Sequence, residues 1–190
     1  MERIFRELSG GNLVDFQKGN NPLEGEGSIT YEGGAQYTGF LKDTVSNGSG
    51  AFTWPDGSRY EGIWLNGLPH GMGTITLPDG HKYSGEWQHG IPEGEGLEVL
   101  PDGARYNGNW KNGMINGQGE MVFADGKKYI GEWMDGMQHG KGTLCFPDES
   151  RYEGQWENNK IFGAGELIFW DGKRYKGEWK GDKFYGHFGV

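Results

Sequence analysis

The chain has 190 residues, 38 of them glycine, with a formal charge of −9 and 34% hydrophobic residues. The glycine excess lacks the three-residue period of collagen, and 8 Trp, 9 Tyr and 10 Phe exclude a disordered chain. The acidic balance excludes a general nucleic-acid binder, which needs a dominant basic face.

What remains is a β protein dense in turns, with a core too thin for a compact globule. The single cysteine, Cys145, excludes an internal disulfide framework and fits a reducing compartment. No apolar run approaches the roughly 20 residues of a spanning helix, and no signal peptide is recognisable. The expected location is cytoplasmic.

Residues 1–22 stand apart. Arg3 to Leu8 reads as one or two helical turns with Ile4, Phe5 and Leu8 on one side, stopped by Ser9-Gly10-Gly11. This segment is either a cap over the first sheet edge or a docking peptide. Val14 and Phe16 sit where a degenerate earlier repeat would place a strand.

From residue 23 to 190 one period governs the chain. Tyr37, Tyr60, Tyr83, Tyr106, Tyr129, Tyr152 and Tyr175 recur every 23 residues without insertion or deletion. A glycine follows each by two, from Gly39 to Gly177. A tryptophan follows the last six by four: Trp64, Trp87, Trp110, Trp133, Trp156 and Trp179. Leu41 takes that place in the first copy. Gly-x-Gly pairs such as Gly48/Gly50 and Gly71/Gly73 keep the same phase. An Asp-Gly turn precedes most tyrosines, and Asp148-Glu149 is the exception.

Each unit reads as a β-hairpin. Ala51 to Trp54 forms a strand, Pro55-Asp56-Gly57 a three-residue loop, and Ser58 to Trp64 the return strand. That loop predicts Phe52 opposite Tyr60, Gly50 opposite Gly62, and Gly48 opposite Trp64. Strand alternation puts Trp54, Phe52, Tyr60 and Trp64 on one face. The indole is expected to lie across the bare glycine backbone opposite it. Asn66-Gly67, Asn112-Gly113 and Asp135-Gly136 turn the chain into the next hairpin. A lone hairpin is marginal in water, so stacked copies must share a core. The fold class is all-β: an elongated single-layer antiparallel sheet of tandem hairpins, seven near-complete copies and a partial last one. The segment Phe184 to Phe188 begins an eighth hairpin, whose open edge is expected to support self-association.

Tyr-x-Gly-x-Trp, Gly-x-Gly and Asp-Gly at a 23-residue period resemble the MORN (membrane occupation and recognition nexus) repeat. The resemblance covers about residues 24–188. It implies assembly and tethering roles. Similar proteins, made of little besides repeats, occur in axonemes, basal bodies, cytoskeletal rings and membrane–cytoskeleton contacts, and some relatives are linked to phosphoinositides.

No residue constellation suggests catalysis. His70, His81, His89, His139 and His187 do not converge on a metal, and Gly140-Lys141-Gly142-Thr143 is in hairpin phase without phosphate-loop spacing. No enzyme, metal or cofactor is expected. The tyrosines and tryptophans either only build the sheet core or also form an apolar strip that binds a partner. In the second case a curved ribbon takes an extended peptide or a helix. The central repeats are the most regular, so Tyr83, Trp87, Tyr106, Trp110, Tyr129, Trp133, Tyr152 and Trp156 are the candidate partner-binding residues. The opposite face carries a basic row of Arg59, Lys82, Arg105, Lys128, Arg151 and Arg174, flanked by Glu61, Glu86, Glu132, Glu153 and Glu178. That row is either a solvated face of ion pairs or a ladder for acidic lipid headgroups. Glu98 breaks phase where other copies carry Phe52, Ile75, Met121, Leu144 and Leu167.

The expected function is a non-catalytic scaffold binding cytoskeletal protein partners, with the axoneme of a cilium or flagellum first. The alternatives are a phospholipid-binding membrane adaptor and a regulatory subunit that positions a separate enzyme.

Overall fold

The computed structural model describes residues 13–18 and 24–186. The helix expected over Arg3–Leu8 and the residues 187–190 lie outside the described residues. Every described element is a β-strand. The chain divides after Pro101 into two units.

The first unit holds β1 (Leu13–Lys18), β2 (Glu24–Tyr31), β3 (Gln36–Lys42), β4 (Val45–Thr53), β5 (Arg59–Leu65), β6 (Leu68–Thr76), β7 (Lys82–Gln88) and β8 (Ile91–Val99). The second holds β9 (Arg105–Lys111), β10 (Met114–Val122), β11 (Lys128–Met134), β12 (Met137–Cys145), β13 (Arg151–Glu157), β14 (Lys160–Ile168), β15 (Arg174–Lys180) and β16 (Lys183–Tyr185). Within each unit every strand pairs antiparallel with its neighbour in sequence, giving a single-layer meander.

Two kinds of turn alternate. The first is the three-residue loop. Trp54 N donates to Ser58 O at 2.9 Å and Gly57 N to Trp54 O at 3.0 Å. The Asp56 carboxylate accepts from Ser58 N at 2.8 Å. The predicted register follows: Gly48 pairs with Trp64, Gly50 with Gly62 and Phe52 with Tyr60. The second is a two-residue turn. Leu65 pairs with Leu68, and Asn66 and Gly67 take φ of 50° and 81°. Two positive φ values make the mirror-image turn whose twist matches that of the strands.

The second kind of hairpin contains a bulge. Between β5 and β6 the register runs from Gly62↔Gly73 to Trp64↔Pro69, so His70, Gly71 and Met72 oppose Ile63 alone. Gly71 there has φ of 62°. The first glycine of Gly-x-Gly therefore serves the bulge, and the second serves packing. A Cβ on Gly96 would stand 2.5 Å from Tyr83 Cε2. The expectation that tryptophan covers the glycine opposite it is corrected here. Tyrosine covers glycine, and Trp64, Trp87, Trp133 and Trp156 bind the backbone beside it: Trp64 Nε1 donates to Gly50 O at 3.0 Å, and Trp87 Nε1 to Gly73 O at 3.1 Å.

Candidate partner-binding face

The tyrosines and tryptophans form the core of each unit. Tyr60 sits edge-on between Trp64 of its own hairpin, 5.0 Å away, and Trp87 of the next, 5.3 Å away. The same alternation joins Tyr106, Trp133, Tyr129, Trp156, Tyr152 and Trp179 in the second unit. Such edge-to-face pairs add about 0.5–1.5 kcal/mol each beyond burial. Each phenol reaches a carbonyl three residues on: Tyr83 to Glu86 O at 2.9 Å, Tyr106 to Asn109 O at 3.0 Å, Tyr129 to Glu132 O at 3.0 Å. The phenol hydroxyls inside the stripe are thereby satisfied, which a core requires. Burial pushes the Tyr106 and Tyr152 phenols up to about 12. Tyr37, Tyr60, Tyr83 and Tyr129 rise further for the same cause.

This places the eight candidate residues. Tyr83, Tyr106, Tyr129 and Tyr152 are fully buried, and Trp87, Trp110, Trp133 and Trp156 nearly so. They are brought together as one packed stripe in each unit, and they act as its floor.

The open part of the same face lies beside that floor. One apolar residue precedes each three-residue loop: Tyr31, Trp54, Leu77 and Leu100 in the first unit, Phe123, Phe146 and Phe169 in the second. All are half-buried. They are on the tyrosine face, as the Phe52–Trp54 contact at 4.6 Å and the Phe169–Tyr175 contact at 5.3 Å show. Of this row, strand alternation had singled out only Trp54. The missed signal is an apolar residue at every 23rd position immediately before a turn.

Glu98 interrupts the apolar pattern within this face. It pairs in register with Tyr83 and is 9% exposed. Its Oε1 lies 2.8 Å from His81 Nε2. His81 follows the Asp79-Gly80 turn, and its carbonyl accepts from Leu77 N at 2.8 Å. The phase break is thus a buried carboxylate held by a histidine from the preceding hairpin.

On the opposite face, four members of the basic row are paired. Arg59 meets Glu61 at 3.4 Å, Lys128 meets Glu120 at 3.6 Å, Arg151 meets Glu153 at 2.5 Å, and Arg174 meets Glu166 at 3.5 Å. Lys82 and Arg105 have no ion pair among the described residues. Glu132 does a different job: its carboxylate accepts from the bulge amide of Lys141 at 3.1 Å. Among the described residues no three His, Cys, Asp or Glu side chains group as metal ligands. No described helix is long and apolar enough to cross a membrane.

The paired turns, the tyrosine-on-glycine packing and the 23-residue register define a class: a tandem β-hairpin repeat protein. The MORN repeat profile matches six consecutive copies, at residues 37–59, 60–82, 83–105, 106–128, 129–151 and 152–174, and the chain belongs to that family. No curated protein matches it in sequence. Among solved structures it is similar to the SAS-4 (dCPAP) TCP domain of Drosophila melanogaster in complex with a proline-rich motif of Ana2 (dSTIL). The identity is 13%, the match covers 89% of this chain and 97% of that one, and the TM-score is 0.51. It is also similar to the CPAP G-box domain, at 16% identity, 90% and 100% coverage and a TM-score of 0.48.

Proposed function

We propose that this chain is a non-catalytic scaffold that binds a protein partner along the half-buried apolar row of its tyrosine face. The observation that carries the reading is the division of labour within that face. The Tyr and Trp stripe closes on itself and fixes the backbone, while one apolar residue per hairpin is left partly open beside it. Regularly spaced, partly exposed apolar groups on a rigid frame suit recognition of a partner. The fold-similar Drosophila domain is in complex with a proline-rich motif, which supports protein binding by a sheet of this kind. The eight candidate aromatics take part from below, by holding the row in place.

A cytoskeletal assembly, the axoneme of a cilium or flagellum first, is the setting the family resemblance favours. The membrane-adaptor reading is the weaker one. Four of the six basic side chains already have carboxylate partners, and an acidic chain gains little from an anionic surface. Affinity purification with a Leu77→Asp, Phe146→Asp variant, beside liposome flotation of the wild type, tests the proposal. Loss of co-purifying proteins without flotation supports it. Flotation on anionic vesicles with unchanged protein recovery overturns it.

A further inference from the structure

We infer that the first unit's tyrosine face takes an extended, proline-rich segment carrying a basic residue. This rests on the proposal that the apolar row is the binding surface. The geometry selects the ligand's backbone. Tyr31, Trp54, Leu77 and Leu100 lie one hairpin apart, two strands each. Neighbouring strands stand about 4.8 Å apart, so the row repeats every ~9.6 Å. A polyproline II segment advances ~9.3 Å per turn of three residues. It therefore presents one side chain to each row position with little accumulated error. An α-helix repeats its face every two turns at ~10.8 Å, and drifts by more than 1 Å at each hairpin. A β-strand repeats a face at ~6.7 Å or twice that, and matches neither.

Charge selects the side chains. Within the row's span lies the Glu98 carboxylate, whose Oε1 is held by His81. Its Oε2 takes no hydrogen bond among the described residues, and the side chain keeps 11% of its surface open. Asp56 and Asp79, in the loops that follow Trp54 and Leu77, are exposed, and their Oδ1 atoms accept from backbone amides at 2.8 and 2.9 Å. Neither has a lysine partner of the kind that Asp125 and Asp171 have in Lys127 and Lys173, at 2.8 Å. The first unit thus offers unneutralised carboxylates beside apolar seats. An arginine or lysine of the ligand meets Glu98, and prolines or leucines at every third position meet the row.

The test uses the full chain and fluorescein-labelled peptides in anisotropy titrations. One peptide repeats Pro-Pro-Leu with a single central Arg, a second has Glu in its place, and a third is a basic amphipathic helix. The Arg peptide should bind most tightly, with the Glu peptide about tenfold weaker. Glu98→Leu installs the residue that Leu144 and Leu167 supply elsewhere, so the fold is kept, and it should erase the difference between the two proline-rich peptides. Leu77→Asp should abolish binding of both. Tighter binding of the helical peptide, lost in Leu77→Asp, overturns this inference and leaves the row as the binding surface. Peptide binding that survives Leu77→Asp overturns both. A charge preference that persists in Glu98→Leu, or no binding by either proline-rich peptide, also overturns the inference.

Discussion

Tyr83 lies over Gly96 so closely that a Cβ on that glycine would stand 2.5 Å from the ring's Cε2 and 2.6 Å from its hydroxyl. The facing glycine, Gly85, meets the Cα of Gly96 at a comparable 2.6 Å from its own hypothetical Cβ. The ring has little room to retreat, because Tyr83 is also packed edge-on against Trp87. Gly96→Ala should therefore destabilise the protein by about 1–3 kcal/mol, as overpacking of a tight core does. A urea midpoint shift read by Trp fluorescence checks this.

Glu149 occupies the turn position that glycine fills in the other described loops of this type, such as Gly57 and Gly126. It takes φ of 70° there. Left-handed backbone costs a side-chain-bearing residue roughly 1–2 kcal/mol, and glycine's extra freedom when unfolded returns part of that. Glu149→Gly should raise stability by about 0.5–1 kcal/mol, visible as a higher melting temperature.

Glu98 is buried where other hairpins carry apolar side chains, and His81, its partner, is partly exposed. Removing one partner should be far worse than replacing the carboxylate with carbon. His81→Ala strands the Glu98 carboxylate and should cost roughly 3 kcal/mol, whereas Glu98→Leu should be neutral or stabilising by ~1 kcal/mol or more. Chemical denaturation of both variants gives the comparison. Equal losses would show that the pair itself holds the hairpins together.

The core phenols set an alkaline limit. Burial raises the Tyr106 and Tyr152 phenols to about 12 from an ordinary value of 10.0. The unfolded chain loses these protons at lower pH than the folded one. Their contribution is complete below pH 10 and is lost as pH climbs through 12. In a titration followed at the phenolate absorbance, the core tyrosines should ionise together with loss of far-UV dichroism. Stepwise ionisation with the sheet intact would contradict the packing described.

The hairpins, their register and their loop were legible because turn chemistry and a period-two pattern are local. Pro55-Asp56-Gly57 alone fixes Phe52 opposite Tyr60. The role of each glycine was less legible. Sequence places Gly48 opposite Trp64, and so it is. But the bulge that makes Gly48 adopt φ of 67°, and the tyrosine from the preceding hairpin that covers Gly50, are contacts between repeats that no single repeat encodes. The proposed binding face was half legible for the same reason. Alternation put Tyr and Trp on one face with Trp54. It did not show that the stripe would bury itself, leaving Leu77, Phe123 and Phe146 as the open members. Glu98 stood out by phase, while His81, its partner from the preceding hairpin, did not.

The most direct measurement is co-purification from ciliated cells with two variants compared against the wild type. One is Leu77→Asp with Phe146→Asp. The other reverses Arg105, Lys128 and Arg151 to Glu on the opposite face. Both should keep the far-UV dichroism of the parent. The first variant should lose the protein partners and the second should retain them. Partners kept by the first and lost by the second would place recognition on the basic face and contradict the proposal.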